Sequence, residues 1–205
     1  MIDDLVVATT VEPKDDATVN LCQKLGVKFF RGSEDNVLER MYLTHKKMGT
    51  DVAVSLYGDC PLIDPKIIDA VITTYLVNQP CGYVTNLDPS TFPTGMGLEV
   101  YPFKTLESAY KKADDPEDRE HSSRYFRMRP QEFKHIYVGA PPWLFYPQLE
   151  VVLDEEKDYQ LIKTVYEALY PGNLNFGCKD IIDYVRSNDS LLGINQEVKR
   201  RQLKR

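Results

Sequence analysis

Two aspartates in this 205-residue chain stand in the same local setting. Asp59 follows the apolar run 52–57 and precedes Pro65, a residue suited to open a helix. Asp154 follows the apolar run 149–153 and begins the amphipathic stretch "DEEKDYQLIKTVYEAL", residues 154–169. If the two apolar runs are neighbouring strands, both carboxylates enter one crevice at the strand ends. Like charges held together repel, and Mg²⁺ relieves that repulsion, since it takes one or two carboxylates plus phosphate oxygens and water. Spacing alone favours a plainer reading, with Asp59 as a turn former and Asp154 as a helix cap.

The elements that would position these residues read as alternating strands and helices. Residues 5–8 are a continuous apolar run closed by Thr9 and Thr10, the pattern of a strand buried on both faces. Residues 13–25 read as a helix stopped by Gly26, and residues 27–30 as a short strand. Ser33 is placed to cap the next helix, with Glu34 and Asp35 in its first turn, and Gly49 ends it. The strand 52–57 and the helix from Pro65 follow. This alternation predicts an α/β fold with a doubly wound, mostly parallel sheet, whose ligands sit beyond the carboxyl ends of its strands.

The middle of the chain breaks the rhythm. Short strands are expected at 83–86, 98–101 and 135–138, with helices at 103–113 and 116–128. The loop "DPSTFPTGMG" holds two prolines and two glycines. The segment "GAPPWLFYPQ" is apolar and proline-rich, a poor solvent surface and so a candidate for burial or a subunit contact. A last helix is expected at 179–186, and the basic residues Lys199, Arg200, Arg201, Lys204 and Arg205 read as a solvated helix end.

Composition narrows the function. Hydrophobic residues make up 42% of the chain, so it can build a core. A formal charge of −6 argues against binding nucleic acid or anionic membrane through net charge, though not against a nucleotide. The four cysteines form no CxxC pair and read as free thiols of a cytoplasmic protein. No apolar run approaches the roughly 18 residues of a membrane helix.

Seven segments occur in order: "VVATT", "LGVKFFRGSEDNVLER", "GDCPLIDP", "YVTNLDPSTFPTGMGLEVY", "DREHSSRYFRMRP", "LDEEKDYQLI" and "LLGINQEV". Together they resemble the spore-coat polysaccharide branch of the cytidylyltransferases, which is similar to the enzymes that activate Kdo and N-acylneuraminate as CMP-sugars. The resemblance spans the chain, and "GDCPLIDP" is its most specific piece. It implies a nucleotide-diphospho-sugar transferase type of fold. It also implies transfer of a cytidylyl group from CTP to an acidic sugar for surface polysaccharide synthesis.

By the resemblance, Asp59 and Asp154 match the family's Mg²⁺-binding aspartates. Asp158 is kept from the second motif, while Glu155 and Glu156 stand where threonine and proline are usual. Arg31, Ser33 and Arg40 fall where related enzymes build part of the base and ribose pocket. Glu99 lies in a sugar-side segment in which Gly97 replaces an aspartate. Glu120 and His121 match an E-H pair at the start of a helix, a sugar-side position. The resemblance further implies a homodimer built through a strand-and-loop insertion at about residues 86–146.

One feature of the family is not found in these 205 residues: a first strand and a loop of the form A-R-x-x-S-x-R-L-P-x-K that holds the triphosphate. The expectation from sequence is therefore one cytidylyltransferase-like domain lacking its first βα unit and impaired in turnover. The alternative is a non-catalytic nucleotide- or sugar-binding paralogue acting with a partner. A metal-dependent glycosyltransferase would need a D-x-D motif after a strand, and "YGDCPLID" supplies none.

Overall fold

The structure, a computed structural model, describes residues 1–198, so the basic tail lies outside the described residues. In chain order the elements are β1 (Val6–Thr10), α1 (Asp16–Leu25), β2 (Lys28–Gly32), α2 (Val37–Met48), β3 (Val52–Ser55), α3 (Pro65–Val77), β4 (Tyr83–Thr85) and β5 (Glu99–Pro102). They continue with α4 (Phe103–Lys112), α5 (Pro116–Glu120), α6 (Arg124–Arg127), β6 (His135–Tyr137), α7 (Glu156–Leu169) and α8 (Cys178–Arg186).

This is a mixed α/β fold with parallel pairing. β1 and β2 run parallel, with Val6 opposite Lys28 and Thr10 opposite Gly32. β3, β5, β4 and β6 form a second sheet in that order. Strand periodicity foretold the strands, but it does not say which neighbours they choose. β3 pairs with β5 rather than joining β1 and β2 in one sheet.

Two compact units divide the chain. Unit 1 holds residues 1–54, 74–84 and 100–136, and unit 2 holds residues 55–73, 85–99 and 137 onwards. The stretch 86–146 is accordingly shared between both units. Unit 1 has an aromatic centre. Tyr83, Tyr101 and Phe126 are fully buried, and the Phe126 ring lies 5.4 Å from that of Tyr83 and 4.9 Å from that of Tyr101. α2 adds Leu38 and Tyr42, the latter stacked on Tyr110 at 4.2 Å. Unit 2 buries one face of α7 (Leu161, Val165) and one of α8 (Ile181, Ile182, Val185), together with Leu149 and Val151.

Three local expectations are corrected. Ser33 does not cap α2. Asn36 does, accepting from the Glu39 amide at 3.0 Å, while the Ser33 hydroxyl accepts from the Asn36 amide one turn earlier. The helix expected at 116–128 is two short ones, α5 and α6, broken at residues 121–123. The break lets Arg124 reach the buried carboxylate of Asp118 at 2.5 Å. In an unbroken helix, residues six apart point about 120° away from each other and do not meet. Residues 149–153 form no regular strand; the segment carries a single parallel bridge, Thr94 to Glu150.

His45 supplies a pH test of unit 1. It lies in the last turn of α2, 8% exposed, with Nδ1 3.1 Å from the Thr50 hydroxyl and Nε2 buried without a partner among the described residues. Burial pushes its imidazole down to about 4. The helix C-terminus favours a cation by about 0.3–1 kcal/mol, too little to offset that desolvation. The folded state therefore holds His45 neutral, while the unfolded chain takes up a proton near pH 6.5. The stability it contributes is complete above pH 6.5 and falls as pH drops towards 4, by about 3 kcal/mol. Urea unfolding of the native chain and of His45→Gln at pH 7 and pH 4 is expected to show a shallower loss in the variant.

Candidate functional site

Unit 2 brings Asp59 and Asp154 together. The chain leaves β3 and turns at residues 58–59, and the Asp59 carbonyl accepts the amide of Leu153 at 2.8 Å. The backbones at Asp59 and Asp154 are thus one residue out of register across a hydrogen bond. Both aspartates are exposed. Cys60, buried beside them, reads the field of both. Burial pushes its thiol up to about 12, with the Asp59 charge, an Asp59 hydrogen bond at 3.4 Å and the Asp154 charge adding to the effect.

Each aspartate is followed along its segment by a buried carboxylate, and only that of Asp158 bonds the aspartate itself. Asp64, 6% exposed, closes the loop after Asp59. One of its oxygens accepts from the Lys66 amide at 2.8 Å at the start of α3, and the other from the Cys178 amide at 2.8 Å at the start of α8. Gly177, at the N-cap of α8, has no side chain to do this, and Asp64 takes its place. Asp158, fully buried in the first turn of α7, accepts the amides of Asp154 at 3.2 Å and Glu155 at 2.9 Å. α7 begins at Glu156, with Glu155 as N-cap, so Asp154 stands just before the helix and is not its cap.

Glu99 is also in unit 2. It is 1% exposed, and its carboxylate accepts the Tyr57 hydroxyl at 2.6 Å. Tyr57 lies two residues before Asp59, so the buried Glu99 is tied to the same loop.

The remaining candidates lie in unit 1. Arg31 is spent on the end of β1: Nε donates to the Thr10 carbonyl at 2.8 Å, an Nη to the Glu12 carbonyl at 3.0 Å, and Asp16 pairs with it at 2.8 Å. Arg40 donates to the Ser33 carbonyl, which links two of the expected pocket residues. Its Nε is buried without a partner among the described residues, and burial lowers its basicity. Glu120 and His121 close α5 instead of opening a helix; Glu120 is exposed and His121 half-buried. Sequence reasoning missed Asp64, Tyr57 and Asn195. Asn195 lies within the quoted "LLGINQEV", so its segment carried a signal though its role did not.

Among the described residues no group of three or more His, Cys, Asp or Glu side chains could hold a metal ion. A pair of exposed carboxylates suits a hard cation that completes its shell with phosphate oxygens and water, as Mg²⁺ does.

Residues 1–174 match the family model described as cytidylyltransferase. The chain belongs to the cytidylyltransferase family. It is 34% identical over 200 residues to the uncharacterized protein MJ1063 of Methanocaldococcus jannaschii, covering 98% of this chain and 80% of that protein. It is 30% identical over 177 residues to the spore coat polysaccharide biosynthesis protein SpsF of Bacillus subtilis, covering 80% of this chain and 68% of that one. A solved cytidylyltransferase from Leptospira borgpetersenii superposes with a TM-score of 0.87 at 31% identity, over 95% of this chain and 80% of that one. A CMP:2-keto-3-deoxy-manno-octonic acid synthetase solved with CTP superposes with a TM-score of 0.57 at 15% identity, over 82% of each chain, and shares the fold.

In this cytidylyltransferase the doubled cap of Asp64 is tightly fitted. A Cβ on Gly177 would stand 2.4 Å from Asp64 Oδ2. Gly177→Ala is expected to cost about 1–3 kcal/mol, the usual range for forcing an atom into a packed site. Chemical denaturation of the variant beside the native chain measures it.

Proposed function

We propose that this cytidylyltransferase transfers a cytidylyl group from CTP to an acidic sugar, with Asp59 and Asp154 jointly binding Mg²⁺. The observation that carries this reading is the hydrogen bond that sets Leu153 against Asp59 and so pairs the two exposed aspartates. In the reaction a sugar hydroxyl oxygen forms a bond to the α-phosphorus. The bond from that phosphorus to the bridging oxygen breaks, pyrophosphate leaves, and the hydroxyl proton passes to solvent. Bound Mg²⁺ would supply charge neutralisation on the phosphates. The chain's part is to hold two carboxylates at a fixed spacing before substrate arrives, which is the positioning that phosphoryl chemistry depends on.

The name of SpsF supports a product destined for polysaccharide, and the family supports the cytidylyl transfer itself. We read the protein as cytoplasmic, where CTP is available; no helix among the described residues is long and apolar enough to cross a membrane, and the four cysteines are free and buried. Binding is the direct test. Calorimetry is expected to show CTP binding that requires Mg²⁺ and weakens about tenfold or more in Asp59→Ala, the scale of one lost charge-assisted contact. CTP binding indifferent to Mg²⁺ and to Asp59 would overturn the reading.

The family resemblance also leads us to infer a homodimer, supported by the "PPWLFYP" segment. Trp143 and Phe145 are 60% and 49% exposed, in a loop braced by Arg186, whose guanidinium lies 4.8 Å over the Tyr146 ring. Large apolar side chains presented by a braced segment suit a protein surface better than water. Light scattering at high micromolar concentration is expected to give twice the chain mass, and Trp143→Glu to give the monomer. A native monomer at that concentration would count against it.

A further inference from the structure

Asp158 does more than a helix cap needs. A capping-box residue at this position needs only one oxygen to reach back to the amide of the N-cap. Here Oδ2 takes the amides of Asp154 and Glu155, and Oδ1 is engaged as well, by the side-chain amide of Asn195 at 2.8 Å. Both residues are buried, Asp158 fully and Asn195 at 4% exposed. The same Asn195 nitrogen donates to the Glu150 carbonyl at 3.0 Å. Serving two acceptors, that end of the side chain must be the nitrogen, so the amide's orientation is fixed by its partners.

The consequence falls on residues 150–154. Their start is held at Glu150, by Asn195 and by the bridge to Thr94. Their end is held at Leu153 by the Asp59 carbonyl and at Asp154 by Asp158. The segment has no regular strand ladder to define its course, so these contacts do so instead. We propose that Asp158 and Asn195 are positioning residues that set where Asp154 presents its carboxylate to a divalent cation. This inference rests on the reading of Asp59 and Asp154 as the cation's ligands. Asp158 and Asn195 touch neither substrate nor cation in it. They act through the Asp154 backbone, as outer partners act on metal ligands.

The test reads cation binding directly. Mn²⁺ is titrated into the full chain and its free signal followed by electron paramagnetic resonance, for the native protein, Asn195→Ala, Asp158→Asn and Asp154→Ala. Asn195→Ala is expected to raise the Mn²⁺ dissociation constant about tenfold, the lower end of what lost outer-shell partners cost. Its thermal midpoint is expected to stay within a few degrees of native. Asp158→Asn is expected to weaken Mn²⁺ binding likewise and to lower the thermal midpoint further, because a carboxamide nitrogen aimed at the Asn195 nitrogen leaves two buried donors facing. A Mn²⁺ affinity unchanged in Asn195→Ala but weakened in Asp154→Ala would overturn the positioning role alone. An affinity unchanged in Asp154→Ala would overturn the ligand reading and this inference with it. A second measurement needs no variant. In the native chain without cation, the Asp154 and Glu155 amides are expected to exchange slowly with deuterium, and rapid exchange at both would overturn the inference.

Discussion

The hydrogen bond between the Asp59 carbonyl and the Leu153 amide is the contact on which the candidate site depends. It joins a turn after a strand of the second sheet to an irregular run before α7. Without it the two aspartates belong to separate loops. With it, the backbone of Asp59 meets the backbone next to Asp154, and the Cys60 thiol, raised first by burial, feels both charges as well. A backbone bond is a sound device for this, because it places the aspartates without using their carboxylates.

The caps extend the same logic. Asp64 and Asp158 are buried carboxylates, which is tolerable only when their oxygens are filled with donors. Asp64 takes amides from two helix starts, and Asp158 takes two amides and a side-chain amide. Helix N-termini carry unsatisfied amides and partial positive charge, so each buried carboxylate meets the environment that suits it. The outcome is a division of labour: the buried aspartates of each segment hold the backbone, and the exposed ones, Asp59 and Asp154, face outward.

Sequence made some of this legible and hid the rest for physical reasons. The apolar runs gave β1, β2 and β3 within about two residues, and Gly26 and Gly49 gave helix ends, both in the left-handed conformation that glycine permits. Asp59 and Asp154 stood out because each follows an apolar run and precedes a helix. What periodicity could not give was partnership. Ser33 and Asn36 are both good caps, and the fold uses Asn36 for the helix and Ser33 for the turn before it. The residues 116–128 look helical throughout, and the break at 121–123 goes with a pairing of Arg124 and buried Asp118 that helical spacing would not offer. Asp64 and Asn195 lie in segments that the resemblance marks, but their bonds to the Cys178 amide and to Asp158 span distant sequence, which no local pattern reveals.

The unit 1 candidates show where a motif and its geometry part company. Arg31 matches a family segment, yet its guanidinium is occupied by the Thr10 and Glu12 carbonyls and by Asp16, all at the end of β1. A guanidinium so engaged shapes the backbone around it, and any contact with a nucleotide would compete with three partners already made. Arg40 differs. One nitrogen reaches the Ser33 carbonyl, while Nε is buried and unsatisfied among the described residues. Leaving a buried donor of a charged group without a partner costs roughly 1–3 kcal/mol or more, and folds keep such groups where something else repays them. Of the two arginines in the motif, Arg40 therefore has the greater capacity to gain from a new acceptor, and Arg31 the greater role in holding the end of β1.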